Sequence, residues 1–179
     1  MKRTFILVTT VLVSVLLAKS GFAQDDELVR VYRWYNTVDQ NYVTVAEGEF
    51  QEGQLLNWKW NDKTQVFVAY RNPGPDRVAV SRWYNPQSKD YVSVAEDEYT
   101  DNDMIKMGYT DKTHQFYALT QRGPNTVAVY RWYVPKNRDW ATVSEEGHTD
   151  TYYKRGWRRK TFQYYGIKRS VDAPIYNQL

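Results

Sequence analysis

Glu47, Glu96 and Glu145 stand at the same place in three similar stretches of the chain, and paired carboxylates hydrolyse glycosides when one of them is kept protonated. A catalytic dyad needs one asymmetric environment, whereas a residue written into three stretches suits structure or a repeated site. His114 and His148 occupy non-equivalent positions, with no HExxH, GxSxG, phosphate-loop or metal-ligand spacing around them. The chain has no cysteine, so thiol chemistry and disulfide bracing are both excluded. The expectation is a non-enzymatic chain with no catalytic residue, no metal and no cofactor.

Binding chemistry is better supplied. The chain carries 7 Trp and 16 Tyr, and aromatic side chains give large buried area and flat binding surfaces together. Three sets recur: Trp34, Asn36, Asn41 and Tyr42; Trp83, Asn85, Asp90 and Tyr91; and Trp132, Asp139 and Trp140. Displayed Trp and Tyr stack on the apolar face of a pyranose, while Asn and Asp offer planar groups to its hydroxyls. The same residues also suit a packing layer and the capping of turn amides. The third set has Val134 in place of the Asn and would make a weaker or different site. Three weak sites act strongly together on a polymer. The expected function is a lectin-like module binding a glycan or polysaccharide. The alternative is an exported protein-interaction or structural module: an envelope adaptor, inhibitor or matrix component. Arg33, Arg82 and Arg131 recur equally, and each is expected to pair with a carboxylate or strand-end carbonyls, since an unpaired buried guanidinium is costly.

These residues are carried by an internal repeat. Arg33-Trp34-Tyr35, Arg82-Trp83-Tyr84 and Arg131-Trp132-Tyr133 follow one another every 49 residues. In the first stretch Val29, Val31 and Tyr35 alternate with Arg30, Tyr32 and Trp34, the two-residue period of a strand. Hairpin-loop chemistry follows over 36–40, 85–89 and 134–138, and second strands begin at Asn41, Asp90 and Asp139. Polar stretches such as 100–108 predict one short helix per unit. Strands led by Lys63, Lys112 and Lys160 return, and Gly74-Pro75 and Gly123-Pro124 mark turns between units. The predicted fold is all-β with short helical turns. It is β-trefoil-like, a single domain over 24–170 with pseudo-equivalent units of about 28–74, 75–123 and 124–170, and 171–179 as a tail. Closure is favoured because so small a unit cannot bury its apolar face alone.

Tyr32-Arg33-Trp34-Tyr35-Asn36, Arg82-Trp83-Tyr84-Asn85-Pro86 with Asp90-Tyr91, and Gly108 ahead of Phe116-Tyr117 resemble a bacterial secreted-repeat family of unknown function. Its units carry Tyr-Arg-x-Tyr-Asn, a short loop and Asp-His-Phe-Tyr-Thr. The resemblance covers most of the chain and implies an exported β-rich domain with threefold pseudosymmetry, found alone or appended to hydrolases, and it suggests glycan adhesion. Where that family has His after the Asp, this chain has Tyr42, Tyr91 and Trp140, so no role of that His is carried over.

Residues 1–23 read as a secretory signal peptide: Lys2 and Arg3, an apolar run to Leu17, and small residues Gly21 and Ala23 before the expected cleavage site. The run is too short for a membrane span. The expected location is secreted or periplasmic, with no membrane span after cleavage. Cleavage removes Lys2, Arg3 and Lys19 and no acid, leaving basic and acidic residues equal in number. That balance gives no argument for a nucleic-acid partner. Charge is uneven nonetheless, with Lys154, Arg155, Arg158, Arg159 and Lys160 making the last third basic.

Overall fold

A computed structural model describes residues 27–146 and 149–169. The expected signal segment, 1–23, and the expected tail, 171–179, lie outside the described residues. The fold is all-β, with three short helices. In chain order the elements are β1 (Leu28–Asn36), β2 (Tyr42–Ala46), α1 (Glu52–Asn57), β3 (Trp60–Tyr70), β4 (Arg77–Asn85), β5 (Asp90–Ala95), α2 (Asp101–Lys106), β6 (Thr110–Leu119), β7 (Thr126–Val134), β8 (Asp139–Ser144), α3 (Thr149–Lys154) and β9 (Arg158–Ile167).

One antiparallel pairing occurs three times. The strand bearing each Arg-Trp-Tyr triplet lies between its hairpin partner and the returning strand. Arg33 stands opposite Thr44 and Thr64, Arg82 opposite Ser93 and Thr113, and Arg131 opposite Thr142 and Thr161. The register shifts at Val31/Tyr32, Val80/Ser81 and Val129/Tyr130, where Val66, Gln115 and Gln163 are the extra residues, so each returning strand carries a bulge at the same point. The returning strands then meet by their ends, with Tyr70 opposite Tyr117, Leu119 opposite Tyr165 and Val68 opposite Ile167. Each of β3, β6 and β9 thus pairs with both others, which closes the sheet on itself.

Closure creates a central core. Phe67, Phe116 and Tyr164 meet edge to face at 5.6, 5.8 and 6.0 Å between ring centroids, ringed by Val29, Val31, Val80, Val127 and Val129. The helices cover the other face of each hairpin. Thr100 starts α2 by accepting from the Asp103 amide while its own amide donates to the Asp103 carboxylate. Past the helices the chain must turn left-handed, and Gly108 and Gly156 do so at φ +86° and +85°, with Lys59 at +69° in the first unit.

Tyr164 replaces the Phe of the other two units, and among the described residues its buried hydroxyl has no hydrogen-bond partner. Tyr164→Phe should therefore raise stability by about 1–3 kcal/mol in urea unfolding, because it removes an unpaired buried polar atom and keeps the ring. Gly166→Ala should act in the opposite direction, since a Cβ there would lie 2.5 Å from the Phe67 ring.

Candidate functional site

The hairpin-end residues Asn41, Asp90 and Asp139 come from three units and are brought together, at 8%, 3% and 0% exposure. Each is preceded by a residue with positive φ (Gln40 60°, Lys89 57°, Arg138 58°), which turns the start of the second strand inward. The Asn41 amide donates to the carbonyl of Lys89 at 3.1 Å, from first unit to second. Asp139 accepts from the amide of Tyr42, from first unit to third, and from Trp140 at 2.7 Å. Asp90 accepts from the Tyr109 hydroxyl at 3.4 Å and shares a hydrogen bond with Asp139. Two touching buried carboxyls cannot both ionise. Burial pushes both upward, and with Asp90 alongside, Asp139 is pushed up to about 10, so it carries the shared proton and donates to Asp90. Burial and the Asp90 charge push the Tyr109 phenol upward as well.

The aromatic residues after these positions cross the same seams. Tyr42 of the first unit packs into the third unit's cluster of Trp132, Val134, Ala141, Val143 and Trp157. Tyr91 of the second packs with Trp34, Val43, Val45, Leu55 and Trp60 of the first. Trp140 of the third packs with Trp83, Val92, Val94 and Met104 of the second. The triplet tryptophans are the centres of these clusters, with Trp34 at 2%, Trp83 at 6% and Trp132 at 0% exposure. Of the two readings the sequence allowed, the packing layer holds and display does not: helix and neighbouring aromatic cover the face of the strand opposite the valines. Asn36 and Asn85 are turn residues. The Asn36 Oδ1 accepts from the amides of Val38 and Asp39, and that of Asn85 from Gln87 and Ser88. Their amide nitrogens reach the carbonyls of Trp58 and Met107 at the helix ends.

The guanidiniums cross the seams too. Arg82 pairs with Glu49 at 2.8 Å, and Arg131 binds both oxygens of Glu98 at 3.2 and 2.8 Å. Arg33 donates to the carbonyl of Thr142 at 3.5 Å. Sequence reasoning missed Glu49 and Glu98 because they recur in two units and not in the third. The fully recurrent Glu47, Glu96 and Glu145 make outer ion pairs with Arg30, Lys112 and Arg122. Among the described residues no group of three or more His, Cys, Asp or Glu is placed to hold a metal.

The open surface lies elsewhere. A groove of about 170 Å³ in the first unit is lined by Tyr32, the edge of Trp34, Glu47, Phe50, Glu52 and Lys63. The Lys63 ammonium stands 4.4 Å over the Tyr32 ring and pairs with Glu52 at 3.0 Å. Of the residues expected from sequence to bind ligand, Trp34 alone lines it.

Glu98→Ala should destabilise the protein by about 3–5 kcal/mol in urea unfolding, because it leaves the buried Arg131 guanidinium without its carboxylate. The Asp90–Asp139 pair sets a pH dependence. A carboxyl neutral when folded and ionised when unfolded takes up a proton on folding. Its contribution is full below the unfolded range near 3.9 and is lost as pH rises toward about 10. The urea midpoint should fall from pH 5 to pH 9, and Asp139→Asn should flatten that slope.

No curated protein and no solved structure shows a significant match to the chain. The family described as a domain of unknown function (DUF5648) matches residues 30–167, which takes in every paired strand but the first two residues of β1. On that coverage the chain belongs to the DUF5648 family.

Proposed function

We propose that this chain is an exported, non-enzymatic, lectin-like module: three pseudo-equivalent units in a β-trefoil-like arrangement that bind carbohydrate. The observation that carries the reading is the groove at Tyr32. It sets aromatic rings, with the Lys63 ammonium over the Tyr32 ring, among two carboxylates, the mixture of apolar surface and hydrogen-bonding groups that a sugar ring needs. At about 170 Å³ it suits a single ring rather than a larger ligand in the ~300–1,000 Å³ range of drug-sized sites. The binding residues in this reading are Tyr32, Glu47, Glu52 and Lys63, with Trp34 as the floor. Recurrent Lys112 and Lys160 stand over Trp83 and Trp132 at 5.7 Å each, so related surfaces exist on the other units.

The second reading is a protein-interaction or structural module. It is favoured by burial of all three triplet tryptophans and by exposed apolar residues at matching places near the ends of α1 and α2: Leu56 and Trp58, Ile105 and Met107.

Intrinsic fluorescence of residues 24–179, titrated with a panel of soluble neutral polysaccharides, decides between them. The lectin reading expects a saturable change that Tyr32→Ala weakens at least tenfold, with the circular dichroism unchanged. No response to any glycan would overturn it in favour of the second reading.

A further inference from the structure

The three seams between units are built alike in two cases and differently in the third. In the first–second seam, Arg82 lies 5.0 Å from the Phe50 ring centroid and 5.6 Å from Tyr91, and pairs with Glu49. Gln115 locks that carboxylate in place, donating to Glu49 at 3.0 Å and to the Thr44 carbonyl at 2.8 Å. In the second–third seam, Arg131 lies over Trp140 at 5.1 Å and Tyr99 at 5.9 Å and takes both oxygens of Glu98. In the third–first seam, Arg33 keeps the aromatic bed, with Tyr42, Tyr152 and Trp157 at 5.4, 5.7 and 6.0 Å. Among the described residues it has no carboxylate. In sequence register Gly147 stands where the other units have Glu49 and Glu98, and Val66 stands where the second unit has Gln115. At this seam the carboxylate position and the Gln115 position are both changed, and the guanidinium is retained.

At this place the surface opens into a groove of about 40 Å³, lined by Arg33, Thr64, Val66, Ser144, Tyr152 and Arg169. The Arg169 side chain is fixed there by donating to the Gln65 carbonyl at 3.1 Å, and it stands 3.8 Å from Glu146. The volume is little more than the ~30 Å³ that one water occupies in the liquid, so only the charged end of a ligand enters and the rest lies across the rim. A guanidinium bedded on aromatic rings takes a planar carboxylate through two parallel hydrogen bonds, as Arg131 does with Glu98. We propose that the third–first seam is a ligand site in which Arg33 binds the carboxylate of an acidic sugar, a uronate, in the place that glutamate fills at the other two seams. The exposed hydroxyl-bearing side chain of Thr64 at the rim suits a polyhydroxylated ring. The site is separate from the groove at Tyr32 and does not depend on it.

The probe is sodium glucuronate, titrated against the fluorescence of residues 24–179, with glucose and glutamate as the neutral-sugar and amino-acid counterparts. Glucuronate should give a saturable change, weakened at least tenfold in Arg33→Gln and partly restored in Arg33→Lys, while any response to glucose is the same in wild type and Arg33→Gln. Gly147→Glu writes the other units' carboxylate into the third unit. It should abolish the response and raise the melting temperature, which keeps the test decisive if Arg33→Gln fails to fold. Tyr32→Ala should leave the glucuronate response intact, so this proposal and the neutral-glycan reading fail separately. A wild-type chain that does not respond to glucuronate, or an Arg33→Gln or Gly147→Glu chain that binds it as before, overturns the proposal. Glutamate binding as tightly as glucuronate overturns the sugar assignment and makes the site one for acidic peptides.

Discussion

A guanidinium in the middle of a three-stranded ladder has to be paired before that ladder can be buried, and this requirement organises the molecule. Arg82 and Arg131 stand between flanking strands with their side chains 9% and 7% exposed. The hairpins that carry them hold no partner of their own for these groups. The carboxylates come from the preceding unit, just as each unit's second-strand aromatic completes a neighbour's tryptophan cluster. A unit isolated from the others would therefore leave a buried charge unpaired and a tryptophan uncovered at once. The interactions that satisfy Arg82, Arg131 and the three tryptophans each belong to two units.

The same logic sets the hairpin ends. Three aspartates converging there would oppose one another, and the chain resolves this with Asn41 at one of the three positions and a shared proton between the other two. The amide donates where a carboxylate would only accept, so Asn41 reaches the Lys89 carbonyl. Asp139 in turn collects main-chain amides, including that of Tyr42 in the first unit. These hydrogen bonds and the shared proton are what let the polar groups sit inside the fold.

Much of this was legible in the sequence, for definite reasons. The alternation of Val29, Val31 and Tyr35 gave β1, and the Asn-led loops gave the hairpins, since Asn36 and Asn85 accept from amides two and three residues on. The helix expected within 100–108 forms over Asp101–Lys106, with Thr100 as its cap. The destination of the tryptophans was not legible. Period-two alternation says that Trp34 and Val31 lie on different faces, but not whether a helix covers the second face, and here Leu55 and Met104 of the helices do. Nor could spacing reveal that Asn41, Asp90 and Asp139, each 49 residues from the next, would meet in space. Recurrence pointed to Glu47, Glu96 and Glu145, yet the carboxylates that bind the buried arginines are Glu49 and Glu98, which recur only twice.

That last difference bears on where function resides in a repeating chain. A side chain kept at every equivalent position is held by what all units need, and here the need is packing: the tryptophans, the central-strand arginines and the residues at 41, 90 and 139 all serve closure. The tryptophans, Arg82, Arg131 and the residues at 41, 90 and 139 are buried, whereas Arg33 lines an open groove. The ligand chemistry proposed at Arg33 is set by positions at which one unit departs from the others. Gly147 and Val66 take the acidic partner away from Arg33 while its aromatic bed stays in place. A seam that keeps a bedded guanidinium and loses its carboxylate retains the electrostatic demand that the other two seams satisfy internally. In a fold this regular, departures from the repeat mark its open surfaces more sharply than the repeat itself does.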